Sequence, residues 1–288
     1  MTPTTCGPTI ERTADNVCVV KSRGKMTALF MADEHFDNAH CDRGLLREHH
    51  EEAKIRGAMI FKVGDTFCAM QGKWDKRADE RELRPEHRGG NYLDRLVDTA
   101  AEFYSPFAAN IGFISPGNHE SSITQRHQTN LTERLVALLR REGSPVTLGD
   151  YWSFVRFSIF TNGHSHKTVA VDTHLHHGYG GGGEVTRGMI DNSRTRSQYM
   201  ANIYVSGHVH RRNYDENVMT TVTQKGRVRQ IVQYFLRCGS YKNETNGWHA
   251  AQGGAGRPMG GWWVTMELDR DRTGGDDVCM PRIKIEAA

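Results

Sequence analysis

What this chain lacks narrows it first. Its six cysteines (Cys6, Cys18, Cys41, Cys68, Cys238 and Cys279) contain no C-x-x-C pair. Neither a disulfide framework nor a zinc ribbon is indicated, and a reduced, cytoplasmic setting is the expectation. No apolar run approaches the roughly 20 residues of a spanning helix, and the start has no apolar signal-peptide core. A soluble chain with no membrane contact is therefore expected. An excess of one charge is also missing: 37 Lys and Arg stand against 34 Asp and Glu, and a net charge of +3 is too small to argue for nucleic-acid binding by itself. The 288 residues, 37% of them hydrophobic, are enough to bury a sizeable core. A single domain over residues 26–288 is expected, with residues 1–25 as an N-terminal extension.

What the chain does have is polar chemistry at the ends of apolar runs. Met26 to Met31 reads as a buried strand and runs into Ala32-Asp33-Glu34-His35. Leu45, Leu46, His49, Ala53 and Ile55 follow at partly helical spacing as far as Gly57, a plausible stop. A second run, Ala58 to Val63, ends in Gly64-Asp65. Strand, helix and strand make a βαβ unit, which sets Asp33, His35 and Asp65 on one edge of a sheet, where open α/β sheets bind ligands. Leu93 to Tyr104 recurs at helical spacing, and a third run, from Ile111, ends in Ser115-Pro116-Gly117-Asn118-His119-Glu120. On its own that tetrapeptide Gly-Asn-His-Glu is equally a turn with a helix-capping Asn.

Two more strand-ends follow. Thr168 to Thr173 leads into His174-Leu175-His176-His177-Gly178, and Ile203 to Val205 leads into Ser206-Gly207-His208-Val209-His210. Asn130 with Glu133 predicts a capped helix through Leu139, and Tyr151 to Thr161 alternates like a strand. Residues 70–90 form a charged loop whose Lys73, Arg77, Arg81, Arg84 and Arg88 either meet an anionic substrate or pair with the Asp and Glu among them. Past residue 212, four strand-like runs separated by glycine-rich turns suggest a second, mostly antiparallel sheet. A lone loop histidine is ordinarily a surface or hydrogen-bonded residue. Five strand-ends carrying carboxylates, imidazoles and an amide oxygen together form a ligand set for a pair of divalent ions, with thiolates absent.

The ordered set Asp33-x-His35, Gly64-Asp65, Gly117-Asn118-His119-Glu120, a strand-end His and Gly207-His208-x-His210 resembles the calcineurin-like metallophosphoesterase superfamily. The segments Gly64 to Lys73 and Gly178 to Gly183 look like a phage and environmental subgroup of it. The resemblance implies an α/β fold, a four-layer αββα sandwich of two mixed sheets. It implies two divalent ions drawn from Mn, Fe, Zn, Co or Ni, with Asp33, His35 and His210 on one, Asn118, His208 and a strand-end His on the other, and Asp65 between them. The family pattern of His followed one residue later by a small residue selects His176, with His174 and His177 as the alternatives. His119 is then the general acid and Glu120 its orienting partner. Arg187, Arg211 and Arg212 are candidates, from position, to clamp a phosphate oxygen.

The function so implied is a phosphoester hydrolase. The Asp65 segment lacks the Asp-Arg-Gly that protein phosphatases carry soon after it, and Asp42-Arg43-Gly44 lies too early, so a phosphodiesterase acting on a small diester or nucleic acid is favoured. The alternatives are a recombination-repair type DNA exo- or endonuclease, and a non-catalytic protein-binding scaffold on the same fold. Monomer and homodimer both stay open.

Overall fold

Apolar residues on both faces of the central strands require two layers of cover, and the chain supplies a helical layer on one side and a second sheet on the other. The computed structural model describes residues 7–71, 75–76, 78–160, 168–181, 183, 186, 188–243, 245, 256–274 and 278–288. In chain order the elements are β1 (Thr9–Ala14), β2 (Val17–Arg23), β3 (Lys25–Met31), α1 (Arg43–Arg56), β4 (Met59–Val63), α2 (Tyr92–Tyr104), β5 (Ile111–Ser115), α3 (Asn118–His127) and α4 (Leu131–Arg141). Then come β6 (Thr147–Leu148), β7 (Trp152–Phe160), β8 (Thr168–His176), α5 (Met189–Gln198), β9 (Ile203–Ser206), β10 (Asn213–Val222), β11 (Val228–Arg237), β12 (Trp262–Gly274) and β13 (Val278–Ala287).

One sheet has seven strands in the order β1-β2-β7-β8-β9-β11-β10, the other six in the order β13-β12-β3-β4-β5-β6. Both are mixed: β3, β4 and β5 run parallel, as do β8, β9 and β11, while β12 pairs antiparallel with β3 and β7 with β8. Ala28, Phe30, Phe61, Val63 and Phe113 of the six-stranded sheet pack on Val155, Phe157, Val171, Leu175 and Val205 of the seven-stranded one. The opposite face of the six-stranded sheet, with Leu29, Met31, Ile60 and Ile114, is covered by Leu46 and Ala53 of α1, Leu96 and Ala100 of α2, and Leu131, Leu135 and Leu139 of α4. The fourth layer is α5, whose Gly188 cap accepts a hydrogen bond from buried Arg237 at the end of β11. This is the two-sheet α/β sandwich anticipated above.

Three expectations need correction. Residues within the supposed N-terminal extension are strands of the seven-stranded sheet, because Cys18 and Val20 of β2 are buried between the sheets beside β7. The four C-terminal runs do not form a sheet of their own: β10 and β11 extend one sheet, while β12 and β13 complete the other. Finally, β8 continues through His176, so His174 and His176 lie within the strand. No helix among the described residues is long and apolar enough to cross a membrane.

Candidate functional site

Parallel β3, β4 and β5 place Asp33 and His35, Asp65, and Asn118 and His119 side by side, and β8 and β9 deliver His177, His208 and His210 from the facing sheet. The loops are held tightly. Asp33 donates its backbone N–H to the Gly64 carbonyl (3.1 Å) and His35 to that of Asp65 (3.0 Å), while the N–H of His208 donates to the Asp33 carboxylate (2.8 Å). Asp33, His35, Asp65, His208 and His210 all sit at positive φ, between 47° and 71°, although none is glycine. Such backbone costs on the order of 1–3 kcal/mol per residue and persists where the surroundings enforce it.

Two groups of donor atoms result. Asp33, His35 and His210 offer atoms within 4.8 Å of one another, as do Asp65, His177 and His208. In the first group the Nε2 atoms of His35 and His210 are 3.0 Å apart, with Asp33 Oδ1 3.4 Å from His210. In the second, His177 Nε2 lies 3.1 Å from Asp65 Oδ2 and 3.1 Å from Asn118 Oδ1, and His208 Nδ1 lies 2.8 Å from the same amide oxygen. Nδ1 of His177 donates to the Val63 carbonyl (2.9 Å), which turns Nε2 toward the carboxylates. Glycines make room: a Cβ on Gly117 would fall 2.1 Å from Asp65 Oδ1, and one on Gly207 2.4 Å from Asp33 Oδ2.

Electrostatics follow from this crowding. Burial alone would raise the Asp65 carboxyl, but the His177 and His119 imidazoles reverse that and hold it well below the usual carboxylate range. Burial would likewise lower His177, and the Asp65 and Asp33 carboxylates overturn it, raising that imidazole to about 10. His35 is pushed well below the ordinary histidine value, by burial and then by His210 and His119.

The expectation for His176 is corrected. Val169, Val171 and Leu175 of β8 face the core, so His174 and His176 point to the opposite face, and His177, just past the strand, continues the inward parity. His174 stacks on Tyr199 (4.1 Å), and His176 accepts the Gly178 N–H on its Nδ1 (2.8 Å). The signal was in the sequence as alternation, not as spacing from glycine.

Glu120 is also placed differently. Its buried carboxylate accepts backbone N–H groups from Phe67 (2.8 Å), Gly117 (2.8 Å) and Asp65 (3.2 Å), tying the β4 and β5 loops together instead of touching His119. Burial, then the Asp65 charge, pushes its carboxyl up to about 8. His119 is held by the Cys68 carbonyl, to which its Nδ1 donates. That carbonyl is fixed in turn by Asp37, which accepts the N–H groups of Cys68 (2.6 Å) and Ala69 (3.0 Å) and the Tyr92 hydroxyl (2.8 Å). Asp37 and Tyr92 carried no local signal, since their partners are far along the chain.

Arg212 donates to the Ala288 carbonyl and lies over the Trp262 ring, so it is held at the chain's C-terminal strand pair and does not reach the site as a clamp. Arg211 sits between His210 and Arg212, partly buried. Arg187 lies outside the described residues, as do Lys73 and Arg77. Within the charged loop, Arg81 pairs with Asp79 (2.7 Å) as the self-paired alternative expects, whereas Arg84 donates to the Asn38 carbonyl (3.0 Å) and Arg88 to that of Leu83 (3.4 Å), so these two are tied to backbone. Cys68 Sγ comes close to His35 and His119, but burial pushes its thiol far up, which disfavours a thiolate ligand.

No protein-family model matches the chain, and no curated protein matches it. Among solved structures, it is similar to a conserved uncharacterized protein, a predicted phosphoesterase, from Streptococcus pneumoniae, at 13% identity over 90% of this chain and 98% of that one, with a TM-score of 0.32. It is also similar to Chaetomium thermophilum Vps29, at 8% identity, 91% and 95% coverage and a TM-score of 0.37. A metallophosphoesterase from Sphaerobacter thermophilus matches at 12% identity, 91% and 88% coverage and a TM-score of 0.33. At these TM-scores the likeness carries no weight for activity.

Proposed function

We propose that this chain is a dinuclear metal-dependent phosphoester hydrolase, most favourably a phosphodiesterase. One observation carries the reading: two groups of carboxylate and imidazole donors meet beside a fixed histidine at the facing ends of two sheets. The donors suit divalent first-row ions. Two imidazole Nε2 atoms 3.0 Å apart can share a single hydrogen bond, and with the carboxylate oxygen beside them they are also the kind of nitrogen and oxygen donors that a divalent first-row ion takes. Asp33, His35 and His210 would hold one ion and Asn118, His177 and His208 the other, with Asp65 reaching both. Bound ions of this kind neutralise phosphate charge and supply an activated water at neutral pH.

The remaining work falls to the chain. With Nδ1 donating to the Cys68 carbonyl, His119 has one nitrogen, Nε2, to carry a proton toward the leaving oxygen as the phosphorus–oxygen bond breaks. That atom is 3.8 Å from Asp65 Oδ2, at the edge of the proposed metal site. Glu120, through its three backbone N–H bonds, and Asp37, through the Cys68 segment, keep the acid and Asp65 in register. Asp42-Arg43-Gly44 serves structure: Asp42 caps α1 through the Leu45 N–H (2.9 Å), and Arg43 donates to the Phe36 carbonyl (3.0 Å). This supports a diester over a phosphoprotein as substrate.

Metal analysis of the purified protein, followed by assay on an aryl phosphodiester with added manganese, tests the reading. Two ions per chain and cleavage are expected. Fewer than two ions together with no cleavage would leave the scaffold alternative standing.

A further inference from the structure

We propose that β10 is the contact strand of a homodimer, pairing antiparallel with β10 of a second copy about a two-fold axis through Val218. Unpaired sheet edges invite strand addition unless they are short, bulged, charged or broken by proline. Among the described residues, three of the four sheet edges are blunted in those ways. β6 has two residues, and β1 carries Glu11 and Arg12 and loses register between Arg12 and Ala14. β13 carries Pro281, Arg282, Lys284 and Glu286. β10 also carries charge, at Asp215 and Glu216, but it is ten residues long, has no proline and keeps unbroken register with β11 from Asn213–Arg237 to Val222–Val228.

The open side of β10 can be assigned. The Thr223 N–H donates to the Arg227 carbonyl (2.8 Å) at the hairpin end, so odd-numbered residues of β10 bond to β11 and even-numbered ones turn outward. The far side of β11 agrees, because the even-numbered Tyr234 donates away from β10, to the Asn202 carbonyl (2.9 Å). Tyr214, Glu216, Val218, Thr220 and Val222 therefore present N–H and C=O groups to solvent. Their side chains share one face, where Tyr214 (42% exposed), Val218 (54%), Val222 (66%), Val228 (74%) and Val232 (39%) form an apolar stripe.

A second β10 fits this edge best in one register. Centred on Val218, Tyr214 faces Val222, Val218 faces itself, Glu216 faces Thr220 and Asp215 faces Thr221, so apolar meets apolar and no like charges oppose. A centre on Glu216 sets two carboxylates against each other, and centres on Asn217 or Met219 set Glu216 opposite a valine. Aromatic with β-branched and valine with valine are stabilising cross-strand pairs. The pairing joins the two apolar stripes and makes one continuous sheet from two seven-stranded ones.

The full chain is expected to sediment as a dimer. Val218→Lys, which sets two ammonium groups opposite each other, should give a monomer that keeps the far-ultraviolet circular dichroism of the folded chain and whose thermal transition no longer depends on protein concentration. Val218→Cys should cross-link under mild oxidation, because directly opposed residues lie about 5.5 Å apart at Cα, within disulfide reach. Thr220→Cys should not, since its own copy is displaced by four residues, roughly 13 Å along the strand. A wild-type chain that stays monomeric at every concentration overturns the proposal. So does a dimer that survives Val218→Lys, or one in which Thr220→Cys cross-links as readily as Val218→Cys.

Discussion

Nε2 of His177 stands 3.1 Å from Oδ2 of Asp65, while the ring of His176, one residue earlier, sits on the far side of the sheet beside His174. The two neighbours are therefore expected to behave oppositely. His177→Ala should lose metal affinity by more than the 10–100-fold typical of a residue that only supports a ligand, and lose turnover with it. His176→Ala should retain both ions and most activity. Metal content and diester hydrolysis measured on the two variants check this.

His119 has a different signature. Its Nδ1 is engaged by the Cys68 carbonyl and its ring lies outside both donor groups proposed to hold metal. His119→Ala should keep two ions yet fall by roughly 10²–10⁴-fold on substrates with poor leaving groups, and much less on nitrophenolate esters. Equal losses across a leaving-group series would remove the general-acid assignment.

Below the strand ends lies a buried ion pair, Lys62 to Glu34 at 2.7 Å, with the Tyr104 hydroxyl donating to the same carboxylate and Lys62 over the Tyr104 ring. Removing one partner strands the other charge. Lys62→Met alone should destabilise the fold by about 3–5 kcal/mol, and Lys62→Met with Glu34→Leu by clearly less. Denaturant titration of the single and double variants measures the difference.

His174 supplies a pH test. Burial, and next the charge of His176, lowers its imidazole to about 4 from an ordinary value near 6.5. As pH falls below about 6.5 the unfolded chain takes up a proton that the folded chain refuses, so stability declines until about pH 4 and then levels off. The loss amounts to at most about 3 kcal/mol. His174→Phe, which can keep the stack on Tyr199, should flatten the acid limb of thermal stability between pH 6.5 and 4. An unchanged slope would assign that limb to other groups.

Much of the site was legible because its residues follow apolar runs directly: Asp33 after β3, Asp65 after β4, Asn118 and His119 after β5, His208 and His210 after β9. His177 was legible in principle, but only by carrying the alternation of Val169, Val171 and Leu175 past the end of the strand. Glu34, Asp37 and Tyr92 were hidden, since a carboxylate's partners at Lys62 or at the Cys68 N–H are set by folding and leave no local trace. The helix α5 buries none of its residues, so it shows no apolar stripe to read. The division of the last four strands depends on which distant partner each finds, β3 for β12 and β9 for β11, and periodicity is silent on partners.

The positive-φ backbone at Asp33, His35, Asp65, His208 and His210 bears on how such a protein changes over generations. Each of these positions would be more relaxed as glycine, so the donors proposed to hold metal are retained against a local conformational slope. A lineage released from the need for turnover would drift downhill at those five places first. Its descendants would keep the two sheets and lose the donors.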